Sequence, residues 1–440
     1  MLSGQRVVVV GLKKSGIAAA QLCLAEGARV VGTDRAPRES LDPEVFGLGI
    51  EIVAGGHDGV DFAAADLIVV SPGVPALPEI EAAERRGVEV IGELELGCRR
   101  LRAPIIAVGG TNGKSTTTTL AGVLAKAAGK KTFVGGNLGT PVSVAVGQDF
   151  DLAVLEVSSF QLERAPSFRP RVSILLNISE DHLDRYPDLA AYAAAKSNAF
   201  VNQSPDDVAI VPANDELCET QARRGRGRLV RFGEGGEYAI DAGAIVERGS
   251  GERFELAEAR LFGRHNHENA AAAIAAVRAL GIPPEAVRRG LANFTPLPHR
   301  MALSGEVSAV RFYDDSKGTN VGASVTALLG LSEPRGVLIA GGRDKLGSYA
   351  PLVQALAKKG RALVVIGEAA ERIAEAVGDT LPVARATDMD DAVRRAYALA
   401  RPGDAVLLSP ACASFDMFKS YADRGQQFAR AVERLREQEG

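Results

Sequence analysis

Short runs of Val, Ile and Leu recur along this chain, each followed by a turn and then a stretch of helical character: Val7–Val10, 28–34, 67–73, 105–110, 152–159, 172–177, 336–342, 362–367 and 404–410. Runs that are apolar throughout mark strands buried on both faces, the situation in a parallel sheet covered by helices. The fold class expected is therefore α/β. A chain of 440 residues exceeds what one hydrophobic core accommodates, and the runs fall into three groups. Three domains are expected, over 1–93, 94–298 and 299–440, divided near Glu93–Pro104 and Pro296–Arg300 where Pro and polar residues break the pattern. Between 229 and 262 the text changes to short pieces separated by Gly and Glu (RFGEGGEY, IVERGSGERFEL), which predicts antiparallel hairpins appended to the middle domain.

Fifty-one basic and 55 acidic residues leave a formal net charge of -4, so no global field favours nucleic acid, and an anionic ligand must be held by a local site. Cys23, Cys98, Cys218 and Cys412 form no CxxC pair, which indicates neither a zinc site nor a disulfide framework. No stretch approaches the roughly 20 apolar residues of a membrane span. The run Val7–Val10 is too short for the apolar core of a signal peptide. A cytoplasmic protein with no membrane or nucleic-acid partner is expected, acting as a monomer.

The segment Ile105-Ile106-Ala107-Val108-Gly109-Gly110-Thr111-Asn112-Gly113-Lys114-Ser115-Thr116 reads as strand, glycine-rich turn and helix start. Backbone N–H groups of such a turn face phosphate oxygens, and the helix dipole favours their charge. Gly110 to Thr116 are the candidate ATP-binding residues, with Lys114 reaching the β- and γ-phosphates and the Ser115 hydroxyl on Mg²⁺. The usual pattern has its first glycine five places before the second; here that place is Val108 and the glycine follows at Gly109. Glu156 closes the run Leu152–Leu155, where a carboxylate can share the ion with Ser115; a charged residue merely ending a strand is the plainer reading. Lys196 follows the Ala-rich segment 190–195, and by residue type alone is a lysine on a solvated helical face. In the first domain, Gly11 and Gly16 after a strand, with Asp34 further on, imitate a dinucleotide fingerprint. Lys13 stands where its middle glycine belongs, which argues against NAD.

The wording GTNGKST resembles the muramyl ligases of bacterial cell-wall synthesis and their relative folylpolyglutamate synthetase. Further segments continue the resemblance in order: EVSSFQL (156–162), NISEDHLD (177–184), Ala195-Lys196, GRHNHENA (263–270) and LPHR (297–300). In the last third, DDSKGTN (314–320) and LSPACASFD (408–416) are similar to the branch that adds D-glutamate, as is SPGVP at 71–75. The fold implied is a Rossmann-like N-terminal domain, a central P-loop ATPase domain with a parallel sheet and a small antiparallel part, and a Rossmann-like C-terminal domain. The activity implied is ATP-dependent ligation of D-glutamate to UDP-N-acetylmuramoyl-L-alanine through an acyl phosphate. Another muramyl or folylpolyglutamate-type ligase is the alternative, and the first and last domains discriminate.

By this resemblance Lys114, His182, Lys196 and Lys317 are catalytic, and two Mg²⁺ ions are expected on Ser115, Glu156, His182 and Lys196. It implies that Lys196 is N-carboxylated by CO₂, which turns a cation into an oxygen donor suited to a hard ion. Asn266 and Asn269 fall near the adenine, Asp315 on the ribose and Arg300 near the phosphates. Ser15, Asp34, Arg35, Gly73, Asn137, Gln161 and His182 would hold the UDP-sugar-peptide. Thr319, Lys345, Ser414, Phe415 and Tyr421 would hold D-glutamate, with Lys345 in a slightly altered loop and Tyr421 where Phe is more familiar.

Overall fold

The computed structural model describes residues 1–181, 185–259, 261, 263–344 and 347–439. Two expected site residues, His182 and Lys345, lie outside these.

Three sheets carry the molecule. The first holds β1 (Arg6–Val10), β2 (Arg29–Asp34), β3 (Glu51–Ala54), β4 (Leu67–Val70) and β5 (Glu89–Gly92), all parallel, in the order β3-β2-β1-β4-β5. Val7 to Val10 are fully buried because β1 is central and covered on both faces.

The middle sheet contains β6 (Ile105–Gly109), β7 (Thr132–Gly136), β8 (Leu152–Glu156), β9 (Val172–Leu175), β10 (Val208–Pro212), β11 (Arg228–Phe232), β12 (Tyr238–Asp241), β13 (Ala244–Glu247) and β14 (Glu252–Glu255), ordered β14-β13-β12-β11-β10-β9-β6-β8-β7. Strands β7 to β11 and β6 are parallel; only β12–β13 and β13–β14 pair antiparallel. The expected hairpins are therefore not a separate appendage. Arg228–Phe232 is the last long parallel strand, and the antiparallel strands extend its sheet through the Phe232–Tyr238 pair. The helix Arg264–Ala279 is buried all round from Asn269 to Val277 against this sheet, and its second turn brings Asn269 against Gly113, in the turn that follows β6 at the carboxyl ends of the strands.

The third sheet holds β15 (Ala302–Val307), β16 (Val310–Asp314), β17 (Gly336–Gly341), β18 (Gly360–Ile366), β19 (Val383–Arg385) and β20 (Ala405–Leu408), ordered β15-β16-β20-β17-β18-β19 and parallel except for the β15–β16 hairpin. In all three sheets the loops after the parallel strands collect at the carboxyl edge, where ligands of open α/β sheets bind. Among the described residues no helix is long and apolar enough to cross a membrane.

Candidate active site

The turn after β6 is a conformation that side chains resist. Gly110 and Gly113 have φ of 139° and 85°, and a Cβ at Gly113 would lie 2.2 Å from Asn269 Oδ1. Glycine is required there both for the backbone and for the close approach of Asn269. The opposite flank is held by Asn177, whose Oδ1 accepts the Asn112 N–H at 2.9 Å and whose Nδ2 donates to Asn112 O at 3.2 Å. Thr111 Oγ1 donates to Ser179 O at 3.2 Å and accepts from the Ser179 N–H at 3.1 Å. The helix Lys114–Ala127 follows at once, with Ser115 and Thr116 buried in its first turn.

Two lysines meet inside this turn. Lys114 Nζ donates to Gly110 O at 2.9 Å and Thr111 O at 2.7 Å, and Lys196 Nζ donates to the same Gly110 O at 2.9 Å. Lys196 is 3% exposed, which corrects its reading as part of a solvated face. The helix Leu189–Ser197 begins at Asp188, which caps Ala191 N–H at 2.8 Å, and turns Tyr192, Ala193, Ala195 and Lys196 inward. The Tyr192 ring lies 4.2 Å beneath the Lys196 Nζ. Burial first, and repulsion from Lys114 second, hold the Lys196 amine well below the ordinary lysine range, against the attraction of Asp181. Burial likewise lowers Lys114, opposed by Glu156 and Asp181.

Glu156, the last residue of β8, is 3% exposed. Its Oε2 accepts from Ser115 Oγ at 2.5 Å and its Oε1 from Asn137 Nδ2 at 2.7 Å. The Asn137 amide, expected on the sugar-peptide, is thus engaged in bracing this carboxylate. Arg300 reaches in from the third domain, its Nη2 donating to Ser115 Oγ at 2.8 Å, and burial lowers its pKa. A hydroxyl and a carboxylate in contact are an oxygen donor pair suited to a hard cation. Among the described residues no three His, Cys, Asp or Glu side chains converge to hold a metal ion, and the expected ligand His182 lies outside them.

Asn266 and Asn269, both buried, stand in the first two turns of the helix Arg264–Ala279, joined by a 3.2 Å hydrogen bond from Asn269 Nδ2 to Asn266 Oδ1. Asp315 follows β16; its Oδ2 accepts from Ser409 Oγ at 2.7 Å. Burial raises its pKa to about 7, outweighing that hydrogen bond and Arg300. Lys317 Nζ lies 4.0 Å over the Tyr421 ring, and Thr319 N–H donates to Lys317 O at 2.8 Å. Beside them Ser414 is buried, whereas Phe415 is 66% exposed. Arg424 locks this region together: it is 1% exposed, donates to Ser316 Oγ and Ser316 O at 2.9 Å each, and reaches Cys412 O at 3.2 Å.

In the first domain both Asp34 oxygens accept backbone donors, Leu12 N–H at 2.6 Å and Ala36 N–H at 2.8 Å, so this carboxylate shapes the loops after β1 and β2. Ser15 is half-buried in the first turn of the helix Lys14–Ala25, and Arg35 and Gly73 are exposed. A cavity of about 120 Å³ lies between this domain and the middle one, lined by Ser71, Pro72, Val74, Phe160, Gln161 and Arg185. Gln161 Oε1 accepts the Ser158 N–H at 3.0 Å, capping its own short helix.

The structure thus gathers Gly110 to Ser115, Asn137, Glu156, Lys196, Asn269 and Arg300 into one cluster, and sets Asp315, Lys317, Thr319 and Ser414 in loops of the third domain, with Tyr421 at the start of the helix Tyr421–Glu439. Reading motifs missed Asn177, Tyr192 and Arg424, which hold the site from behind. Asn177 opens a quoted motif and could have been weighed; an arginine inside a polar helix and a tyrosine inside an Ala-rich one give no local signal.

Three family models match the chain: "Mur ligase MurD-like, N-terminal domain" over residues 5–92, "Mur ligase middle domain" over 108–277, and "Mur ligase, glutamate ligase domain" over 299–412. A curated relative from Anaeromyxobacter dehalogenans, named UDP-N-acetylmuramoylalanine--D-glutamate ligase, is 49% identical over 99% of both chains. A relative of the same name from Trichlorobacter lovleyi is 46% identical over 99% of this chain and 100% of its own. Among solved structures, the UDP-N-acetylmuramate-alanine ligase MurC of Thermotoga maritima matches 99% of this chain and 100% of its own at 20% identity and a TM-score of 0.60. The MurF ligase of the same organism, solved in complex with ADP, matches 100% of this chain and 96% of its own at 18% identity and a TM-score of 0.63. The two structures share the three-domain fold.

Proposed function

This chain belongs to the Mur ligase family, and on that premise we propose that it ligates D-glutamate to UDP-N-acetylmuramoyl-L-alanine at the expense of ATP, as a cytoplasmic monomer. The names carried by relatives of 49% and 46% identity support the substrates. The observation that carries the chemistry is the meeting of Lys114 and Lys196 on Gly110 O, beside the Ser115–Glu156 pair and under an arginine of another domain.

A carboxylate is a poor electrophile. The reaction therefore begins with attack of the L-alanyl carboxylate oxygen on the γ-phosphorus; the bond to the β-phosphate oxygen breaks and ADP leaves. The amine of D-glutamate then adds to the acyl-phosphate carbon, the C–O bond to phosphate breaks, and the nitrogen loses a proton. Such a site works by alignment, on the order of 7–11 kcal/mol, and by fixed charge around the transferring phosphoryl group.

In this reading the turn Gly110–Thr116 cradles the phosphates, with Lys114 and Arg300 neutralising them and Lys317 assisting from the third domain. Asn266 and Asn269 meet the adenine, and Asp315 meets the ribose. Ser115 and Glu156 would hold one Mg²⁺; His182 and N-carboxylated Lys196 would hold a second. Bound there, the ions would supply positive charge to the phosphate oxygens. Ser15, Asp34, Arg35, Gly73, Asn137, Gln161 and His182 serve the UDP-sugar-peptide, Asp34 by shaping its loops. Thr319, Lys345, Ser414, Phe415 and Tyr421 serve D-glutamate. The domains are taken as 1–93, 94–298 and 299–440.

The test is phosphate release and amide product from ATP and UDP-N-acetylmuramoyl-L-alanine with D-glutamate, L-glutamate or neither. Product with D-glutamate alone is expected. ATP turnover indifferent to the muramyl substrate would overturn the ligase reading, and product with another amino acid would move the chain to a different branch.

A further inference from the structure

Asn320 stands between the loop that carries Lys317 and Thr319 and the helix Val321–Leu329, whose first residue it precedes. Its Oδ1 accepts the Ala323 N–H at 2.7 Å. With the oxygen committed to the cap, the orientation of the amide is fixed, and its NH₂ group faces away from the helix. There it meets the middle domain: Nδ2 donates to Asp181 Oδ2 at 3.1 Å and lies 3.4 Å from Asn112 Oδ1. The approach is close along the whole first turn, since a Cβ at Gly322 would sit 3.2 Å from Ser179 Oγ and 3.5 Å from Asn112 Nδ2. Asp181 is the carboxylate whose charge attracts both Lys114 and Lys196, and Asn112 belongs to the phosphate turn itself.

We propose that Asn320 is a positioning residue for phosphoryl transfer: a clasp through which the third domain, when closed, fixes Asp181 and Asn112 beside the two lysines. The closure it makes is independent of the substrates named above, but its effect on turnover rests on the ligase reading. One amide joins the phosphate turn, the loop after β9 and the segment bearing Lys317 and Thr319. The site is therefore complete only when the third domain is seated, and the closed state is held by a directed hydrogen bond to a charged group. Arg300 on Ser115 makes a second, separate bridge.

The cap makes the clasp separable from folding. Asn320→Asp keeps a good capping oxygen but sets an oxygen against the Asp181 carboxylate; Asn320→Ser keeps the cap and loses the reach. Both variants are compared with wild type in full-length protein by kcat and KM, by thermal unfolding, and by the distance between spin labels on the middle and third domains with a non-hydrolysable ATP analogue and Mg²⁺. Melting temperatures are expected to stay close to wild type and the KM for ATP within about threefold. kcat should fall about 10-fold in Asn320→Ser and about 100-fold in Asn320→Asp, as for the loss or inversion of a hydrogen bond to a charged group. The closed distance should be lost in the same order, and adding Asp181→Asn to Asn320→Asp should restore the distance. Wild-type kcat and closure in Asn320→Asp overturn the proposal, as does a loss that follows the melting temperature alone. The distance needs no turnover, so a wild type that fails to ligate D-glutamate while Asn320→Asp still opens the domains removes the ligase reading and leaves the clasp.

Discussion

Lys196 donates to a carbonyl oxygen that Lys114 also occupies, and two full positive charges there would repel one another with little water to screen them. Burial and the neighbouring Lys114 push the Lys196 amine toward its neutral form, and a neutral amine can add to CO₂, forming an N–C bond and releasing a proton to leave an anionic carbamate. Lys196→Ala is expected to lower kcat by about 100-fold or more, the usual range for removing one charge-stabilising group. Wild type assayed without CO₂ should lose activity and regain it on adding bicarbonate, whereas the variant should ignore bicarbonate; equal response of the two would remove the carbamate. Asp315 gives a stability test. Its pKa is raised from 3.8 to about 7, so between these values the folded protein keeps a proton that the unfolded chain has lost. Stability conferred by that proton is fully present below the unfolded value and falls as pH rises through the window, by about 4 kcal/mol in all. Asp315→Asn has no such slope. Denaturant unfolding at pH 5 and pH 8 should show the variant gaining on wild type at the higher pH; no change between the two would mean the carboxylate is ionised in the fold and held by Arg300.

At the scale of elements, the turn between β6 and the helix Lys114–Ala127 depends on two glycines, and Gly113 is the more demanding. Gly113→Ala would place a Cβ in a left-handed conformation and within 2.2 Å of Asn269 Oδ1. A cost of about 1–3 kcal/mol and a rise of roughly 10-fold or more in the KM for ATP are expected, because the side chain displaced is one proposed to meet the adenine; unchanged ATP kinetics would show that Asn269 has no part there. This turn was legible because its glycines, Lys114 and Ser115 are contiguous, although the side chains that brace it, Asn177 and Asn269, are not. Equally legible are β1, β4, β6, β8, β9, β17 and β20, which are buried on both faces and so are apolar almost throughout, with Arg6 at the start of β1, Ser173 within β9 and Glu156 at the end of β8 as the polar positions. Strands β3, β5, β7, β10, β15, β16 and β19 fall outside the apolar runs read from the sequence. Strands β3, β5, β7, β15 and β19 lie at sheet edges, where one side meets solvent and the apolar run shortens, as in EIVA, TFVGG and VAR, whereas β10 and β16 are interior. The supporting side chains were hidden for another reason. Asn177 reaches Asn112 across 65 positions, Arg424 reaches Ser316 across 108 and Asn320 reaches Asp181 across 139, and no local pattern marks a residue for a partner that only folding brings near.

Across the whole molecule the two domain junctions are built differently. The first and middle domains are joined by a half-buried two-pronged ion pair, Arg100 to Glu26 at 2.6 and 2.7 Å. The carboxylate of Glu93, 1% exposed, accepts the Ser143 N–H at 2.6 Å across that junction, and Val146 packs onto the core of the first domain. Separating these groups would strand a buried carboxylate, which is expensive. The third domain meets the phosphate turn through Arg300 and Asn320, both half-buried polar contacts that water can replace. Its connector also holds His299 and Met301 at φ of 60° and 51°, left-handed conformations that cost non-glycine residues about 1–3 kcal/mol each and that a hinge would relieve on opening. The third domain is therefore the one expected to move. Spin labels on the first and middle domains should keep one distance with or without a non-hydrolysable ATP analogue and Mg²⁺, while labels on the middle and third domains should pass from a broad distribution to a single short distance. Arg300→Ala should weaken that shortening, since it removes a bridge to Ser115 without touching the first junction. A first-to-middle distance that changes as much as the other would place the hinge near Glu93, and would require the Arg100–Glu26 pair to break during every turnover.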